Sequence, residues 1–160
     1  MLKKLFLLLG LLPTVVTAQS YVVYDFTHDK VLESGSPFNV QPIASVTKLM
    51  TANIFLENNR NANCSIAITE EDDDYIKGTH TKLPKYTPIA CQELLKAMLV
   101  HSDNYAAHAL SRATGMSRLQ FIQKMNEKAK ELGMRSTRFA DSSGLSSSNI
   151  SSAMDLVKLA

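Results

Sequence analysis

The 160-residue sequence contains no tryptophan, only two cysteines, and few glycines or prolines, six and five respectively. The scarcity of glycine and proline excludes a collagen-like or low-complexity chain. A hydrophobic fraction of 45% is too high for a disordered chain, so one packed domain is expected. No C-x-x-C or H-E-x-x-H pattern occurs, and the four histidines are scattered. The sequence therefore does not predict a metal site.

An excess of charge of one sign is also lacking. The 17 basic and 15 acidic side chains give a net charge of +2, and Lys3 and Lys4 account for it. Residues 19–160 carry the other 15 basic side chains and all 15 acidic ones, so their charges cancel. A basic surface for nucleic acid is therefore not predicted.

The N-terminus has the pattern of a cleavable signal peptide. Lys3 and Lys4 precede an apolar run over residues 5–12, and small residues at 16–18 come before Gln19. We therefore expect a signal peptide over residues 1–18 and a mature chain that works outside the cytoplasm. A membrane anchor is the alternative, but Gly10 interrupts the run, which is much shorter than the roughly 20 apolar residues that span a bilayer.

Cys64 and Cys91 suit an exported protein, because an oxidising compartment permits a disulfide. The alternative is two unpaired thiols that pack as small hydrophobic side chains. The sequence leaves both open, because it does not fix the separation of the two Cα atoms that a bridge requires.

Hydrophobic periodicity predicts a mixture of strands and helices. Strands are expected at 21–26, 31–33 and 65–68, where β-branched or aromatic residues are frequent. Helical spacing of apolar residues is found over 44–57, 92–100, 104–113, 117–132 and from 154 to 160. The acidic run at 70–74 lacks the ligand spacing of a calcium loop, so it predicts a solvated turn.

Capping patterns mark two of these helices. Ser117 with Gln120 forms a capping box, and Ser152 with Asp155 resembles another. Gly133 ends the first of these two helices. Its apolar face is expected to consist of Leu119, Ile122, Met125, Ala129 and Leu132.

Ser45 and Lys48 are the first pair of side chains that could act together in catalysis. Three positions apart on one helix, they lie on the same face, with Ser45 near the helix start. A lysine activates a serine only when burial or nearby cations lower the pKa of the lysine. The Ser45 N–H is in addition a plausible donor to the oxyanion. Alone the signal is weak, because this composition yields about one S-x-x-K match by chance. The alternative is an N-cap serine beside a surface lysine.

A second motif, Ser102-Asp103-Asn104, is expected only about 0.05 times by chance in this composition. It lies in the short connection between two predicted helices, where a loop can direct side chains into a cleft. The alternative is again a helix N-cap. Both motifs together favour the functional interpretation.

The two motifs resemble the S-x-x-K and S-D-N signatures of penicillin-binding proteins and class A β-lactamases. The surrounding residues are similar to the low-molecular-mass penicillin-binding proteins, the D-alanyl-D-alanine carboxypeptidases and endopeptidases. Within this family, residues 144–151 are more similar to endopeptidases of the penicillin-binding protein 7 type. The resemblance covers residues 21–160 and rests on the segments 42–52, 125–134, 137–139 and 143–145.

The resemblance implies a mixed α/β fold of the serine β-lactamase and penicillin-binding transpeptidase type. It also implies that Ser45 is the nucleophile, Lys48 accepts its proton, Ser102 relays the proton to the leaving amine, and Asn104 binds the substrate amide and Lys48. The expected substrate is a peptidoglycan peptide in the periplasm, and β-lactams are the expected inhibitors. No cofactor, nucleic acid or stable membrane anchor is implied.

The sequence departs from the family pattern in one respect, because no K-T-G motif follows the second motif. The resemblance therefore implies that residues 19–160 are an incomplete catalytic domain. It would hold the helical part and the first two strands of the antiparallel sheet, without the C-terminal strands. One alternative is a β-lactamase, but no Glu-x-x-Leu-Asn stretch follows Ser102 to support it. The other is a non-catalytic wall-binding or interaction module in which Ser45 and Ser102 are helix caps.

Overall fold

Three two-stranded antiparallel sheets and five α-helices occur in the computed structural model, which describes residues 20–59 and 61–160. The mixed α/β composition confirms the prediction from the sequence. The signal peptide predicted for residues 1–18 lies outside the described residues. Within those residues, no helix combines the length and the apolar character needed to cross a bilayer.

The N-terminal hairpin forms where the sequence predicts it. Strand β1 (Tyr21–Asp25) pairs with β2 (Lys30–Gly35), and the register shifts once between Val23 and Tyr24. Both strands carry exposed apolar side chains, and Leu32 is 60% exposed. The hairpin therefore contributes little to the core of the described region.

The other two sheets are built from very short strands. Strand β3 (Gln41–Pro42) pairs with β6 (Ile150–Ser151), and β4 (Ser65–Ala67) pairs with β5 (Pro88–Ala90). The sequence predicts β4 but not the other three, because two or three residues are too few to show an alternating pattern. The β3–β6 pair brings the residues just before Ser45 next to those that follow residue 149.

Helix α1 (Thr47–Asn58) follows a 3₁₀ turn at Ala44–Val46. The predicted helix therefore exists, but its first turn is tighter than an α-helix. Its buried face includes Met50 and Ile54, whereas Leu49 is 49% exposed. The side chain of Lys48 is instead buried at the start of the helix.

Helices α2 (Cys91–Val100) and α3 (Asn104–Ala113) pack together and form one part of the core. Leu94, Met98 and Leu110 are completely buried there. Cys64 and Cys91 form a disulfide with a Cα–Cα distance of 5.4 Å, so the bridge is the correct one of the two alternatives left by the sequence. It connects the start of α2 to the segment that precedes β4.

Helix α4 (Arg118–Glu131) begins at the predicted capping box. The Ser117 N–H donates to Gln120 Oε1 over 2.9 Å, and Ser117 Oγ accepts from the Gln120 N–H over 3.3 Å. Buried positions follow an i, i+4 spacing from Phe121 through Met125 to Ala129, and they pack in a second part of the core. Leu119 is 66% exposed, so its assignment to the buried face is wrong. Phe121, which is 1% exposed, belongs to the buried face instead.

The second capping box is only half formed. At the start of α5 (Ala153–Val157), Ser152 Oγ accepts from the Asp155 N–H over 3.2 Å. The Asp155 carboxylate does not return the bond, because it accepts from the Ser136 N–H over 2.7 Å and from Thr137 Oγ1 over 3.0 Å. The helix ends at Val157 and does not continue to residue 160 as predicted.

The acidic run is not uniformly solvated, so the prediction of a solvated turn is wrong for two of its members. Residues Glu70–Asp72 form a 3₁₀ turn, and Asp72 and Asp74 are only 1% and 5% exposed. Burial of Asp72 is compensated by Arg112, whose Nη2 donates to its carboxylate over 2.7 Å. Asp74 is compensated by backbone N–H groups, as described below.

Candidate active site

Ser45 and Lys48 lie together at the start of α1. Ser45 is exposed in the 3₁₀ turn, whereas Lys48 is only 2% exposed. The Lys48 Nζ donates to Ser45 Oγ over 3.3 Å. The two side chains that the S-x-x-K spacing predicts to be neighbours are therefore in contact.

Two further acceptors hold Lys48 from distant parts of the chain. Its Nζ donates to Asn104 Oδ1 over 2.7 Å and to the carbonyl oxygen of Ser143 over 2.6 Å. Asn104 is the first residue of α3, and the Asp103 side chain caps this helix by accepting from the Ala106 N–H over 2.9 Å. The cap fixes the helix start and hence the point from which Asn104 reaches Lys48.

Burial lowers the pKa of Lys48 from its ordinary value of 10.5 to about 8, and the nearby carboxylates of Asp141 and Asp103 offset part of this effect. The acceptors in direct contact with Nζ carry no formal charge. A measurable fraction of the amine is therefore neutral near physiological pH. A neutral amine next to a hydroxyl can accept its proton and thereby activate it as a nucleophile.

Ser102 lies in the connection between α2 and α3, two residues before Asn104, and it is exposed. Its backbone is left-handed, with φ of 57°. The Ala97 carbonyl accepts from both the His101 and Asp103 N–H groups, over 3.1 and 3.2 Å, and so closes the end of α2 around Ser102. Glycine is the usual residue in such a conformation, so a serine here carries strain of about 1 kcal/mol. The strained connection sets the start of α3.

A tight turn after Asp141 presents the Ser143 carbonyl to Lys48. The Asp141 carboxylate accepts from the N–H groups of Ser143, Gly144 and Ser146 over 2.6 to 2.7 Å. Burial opposes ionisation of Asp141, but these backbone donors together hold its pKa below its ordinary value. The resemblance in sequence includes residues 143–145 without giving them a role. The signal that could have revealed it is an aspartate followed by small residues and glycine, a turn-forming pattern.

Gly144 lies directly against the backbone of Ala44 and Ser45. Its φ is +85°, and a Cβ at this position would lie 1.9 Å from the carbonyl oxygen of Ala44 and 3.0 Å from the Ser45 nitrogen. Only glycine permits this approach. The turn at 141–146 therefore contacts both the lysine and the backbone amide of Ser45.

A cleft of about 480 Å³ opens beside this cluster. Ser45 N–H lies in the first turn of its helix, where amides have no intrahelical acceptor and can bind an anionic oxygen. Within residues 20–59 and 61–160, no group of three or more His, Cys, Asp or Glu side chains could hold a metal ion. The cleft is lined by Pro42, Ala44, Ile76, Lys77, Gly144, Leu145, Ser146 and Ser147.

Comparison with known proteins gives the same family as the resemblance of the sequence motifs. Residues 11–160 match the family model Peptidase_S11, described as D-alanyl-D-alanine carboxypeptidase. A D-alanyl-D-alanine endopeptidase of Haemophilus influenzae is 74% identical over 160 residues, which are 100% of this chain and 55% of that protein. A D-alanyl-D-alanine endopeptidase of Escherichia coli is 35% identical over 144 residues, which are 90% of this chain and 46% of that protein.

The fold matches as well. A penicillin-binding protein of Listeria monocytogenes, solved in a cefotaxime-bound form, superimposes with a TM-score of 0.73 and 30% identity over 89% of this chain and 60% of that one. The expected penicillin-binding transpeptidase-like fold is thereby confirmed. The chain spans about half the length of the curated relatives it matches. It belongs to the Peptidase_S11 family of D-alanyl-D-alanine carboxypeptidases and endopeptidases.

Proposed function

We propose that the protein is a serine-type D-alanyl-D-alanine peptidase that cleaves peptidoglycan peptides through an acyl-enzyme on Ser45. The observation that carries this proposal is the contact of the Lys48 amine with both Ser45 and Asn104, next to a cleft that Ala44 and Gly144 help to line. The reaction requires no metal or cofactor, because the amine and the hydroxyls supply the proton transfers.

In the proposed reaction, neutral Lys48 takes the proton of Ser45 Oγ as this oxygen attacks the carbonyl carbon of a D-Ala residue. The Ser45 N–H and the positive end of α1 stabilise the resulting oxyanion. Ser102 relays the proton to the leaving amine as the C–N bond breaks, while Asn104 binds the substrate amide and holds Lys48. Water then hydrolyses the ester and releases the acyl group.

Endopeptidase activity, the cleavage of cross-links between peptides, is favoured over carboxypeptidase activity. The relatives from Haemophilus influenzae and Escherichia coli are both named endopeptidases. Residues 144–151 are also similar to the endopeptidase subgroup in sequence. Digestion of cross-linked and uncross-linked peptidoglycan fragments, followed by mass spectrometry, tests this choice. Conversion of cross-linked dimers to monomers is expected, and release of only terminal D-alanine would contradict it.

The proposed compartment is the periplasm, and β-lactams are the proposed inhibitors. The charged and apolar pattern of residues 1–18 supports export. The cefotaxime-bound Listeria relative supports binding of β-lactams, which mimic the D-Ala-D-Ala terminus. Fractionation of cells that express the protein, with detection of the processed chain, tests the location.

A fluorescent penicillin tests the nucleophile. We expect covalent labelling of the protein, and we expect Ser45→Ala to abolish it. Ser65→Ala is the matched control, because Ser65 is an exposed serine on β4 that is not one of the hydrogen-bond partners of Lys48. Circular dichroism establishes that each variant is folded.

Three outcomes would overturn the proposal. Undiminished labelling of Ser45→Ala would exclude Ser45 as the nucleophile. A folded wild-type chain that is not labelled would support a non-catalytic binding module. Rapid release of hydrolysed drug would support a β-lactamase.

A further inference from the structure

A buried carboxylate, Asp74, lies behind the proposed active site and organises the loop that follows it. It is 5% exposed, and its oxygens accept from the N–H groups of Ile76, Lys77 and Thr79 over 2.9 to 3.0 Å. The Thr79 hydroxyl donates to Asp74 Oδ2 over 2.6 Å. Burial opposes ionisation, but these donors together hold the pKa of Asp74 well below its ordinary value. Asp74 is therefore a permanent acceptor at neutral pH.

The carboxylate fixes the direction of the next hydrogen bond. A threonine hydroxyl has one proton, and in Thr79 that proton is donated to Asp74. Thr79 Oγ1 can therefore act only as an acceptor toward its other neighbour. That neighbour is Asn104, whose Nδ2 donates to Thr79 Oγ1 over 3.0 Å.

The consequence reaches Lys48 through the asparagine amide. One end of this amide is a donor and the other an acceptor, so binding of Nδ2 by Thr79 turns Oδ1 toward Lys48 Nζ, 2.7 Å away. In the opposite orientation, the NH₂ group of Asn104 would face the ammonium group of Lys48, and two donors would oppose each other. The polarity of the whole chain of bonds is thus set at Asp74.

Two further bonds hold the loop against the first turn of α3. The Tyr105 hydroxyl donates to the Thr79 carbonyl over 2.8 Å, and Thr81 Oγ1 donates to Asp103 Oδ2 over 2.6 Å. Thr79 and Asn104 are therefore fixed relative to each other from both sides. None of these residues belongs to the S-x-x-K or S-D-N motif except Asp103 and Asn104.

We propose that Thr79, polarised by Asp74, is a positioning residue that selects the amide orientation of Asn104 and so holds Lys48 in place to activate Ser45. The proposal rests on the proposed function for its catalytic meaning. The arrangement of bonds itself can be tested without catalysis.

The experiment compares Thr79→Val, which removes the hydroxyl at constant shape, with Thr79→Ser, which keeps it. Thr87→Val is the matched control, because Thr87 is an exposed threonine that lies outside these contacts. The first readout is the rate of acylation by fluorescent penicillin as a function of pH. The second is the pKa of Lys48, followed by the NMR chemical shift of its Cε carbon, which requires no activity. The charged groups that face Lys48, Asp103 and Asp141, are unchanged in all variants.

For Thr79→Val we expect the plateau of the acylation rate to be lower than that of wild type by about tenfold. We also expect a lower Lys48 pKa, because the amide oxygen no longer stabilises the ammonium form at all times. Thr79→Ser and Thr87→Val should stay within about threefold of the wild-type rate, with the Lys48 pKa unchanged. Asp74→Asn, which frees the Thr79 proton, should shift both readouts in the same direction as Thr79→Val and provides a second variant if that one does not fold.

Equal Lys48 pKa values in wild type, Thr79→Val and Asp74→Asn would overturn the proposal. A Thr79→Ser variant as impaired as Thr79→Val would also overturn it, because loss of the methyl group would then be responsible. If the wild type is not labelled by penicillin, the proposed function fails, while the NMR readout still decides whether Thr79 positions Lys48.

Discussion

The Nζ atom of Lys48 lies 2.6 Å from the carbonyl oxygen of Ser143, a residue 95 positions later in the chain. This bond and the one to Asn104 satisfy a buried amine with uncharged acceptors. Because the described acceptors of Nζ are uncharged, burial outweighs the more distant attraction of Asp141 and Asp103. The lysine is thereby brought to a pKa at which it can exchange protons.

The pKa of Lys48 predicts how stability depends on pH. In the folded chain this pKa is about 8, against 10.5 ordinarily, so between these values the unfolded chain binds more protons. The free energy of unfolding should therefore rise with pH across this window, by about 3 kcal/mol from this group. Urea unfolding of wild type and Lys48→Met from about pH 8 to 10.5 measures the effect. The variant should lack this rise, and parallel curves would contradict the assignment.

Gly144→Ala should damage the site far more than another glycine substitution of the same kind. Gly144 and Gly115 both have positive φ, 85° and 77°, so alanine carries backbone strain of about 1 kcal/mol at either position. Open space surrounds Gly115, whereas the Cβ added at Gly144 would collide with the Ala44 carbonyl. We expect a further loss of about 1 to 3 kcal/mol in Gly144→Ala, and at least about tenfold slower penicillin labelling because Ser45 is displaced.

Urea unfolding and labelling rates of both glycine variants provide the measurement. Gly115→Ala should lose stability only from backbone strain and should label at the wild-type rate. Similar labelling of Gly144→Ala and Gly115→Ala would show that the turn at 141–146 does not determine the position of Ser45.

Removal of the disulfide should reduce stability without affecting the chemistry. Cys64 and Cys91 are separated by 27 positions, and a bridge of this span stabilises by about 3.5 kcal/mol through restriction of the unfolded chain. Urea unfolding of the double variant Cys64→Ala, Cys91→Ala, and of the wild type with and without a reducing agent, measures the loss. Addition of the reducing agent should not change the stability of the double variant.

Penicillin labelling of the same double variant serves as the functional control. The bridge connects the segment before β4 to α2, and neither cysteine lines the cleft. At low urea concentration, the labelling rate should equal that of wild type. A large decrease in a folded double variant would mean that the bridge holds the α2–α3 connection in its strained form.

The sequence is informative about contacts that form within one turn or one hairpin. Ser45 and Lys48 are neighbours because of helical spacing, and the Ser117 cap follows from two residues three positions apart. Local spacing does not predict the partner of Asp155, because its carboxylate accepts from the Ser136 N–H of another segment and not from the start of its own helix. Nor does the acidic run in the sequence indicate that Asp74 is buried and accepts from backbone N–H groups.

The sequence by itself determined which chemical groups form the candidate site and which family the chain belongs to, because residue types and short spacings carry that information. Only the tertiary structure decided whether those groups form a reactive arrangement. The pKa of Lys48, its contact with Ser143 and the orientation of Asn104 under Thr79 all depend on segments far apart in the chain. The physical reason is that desolvation and hydrogen-bond direction are properties of the packed environment, which no local pattern specifies.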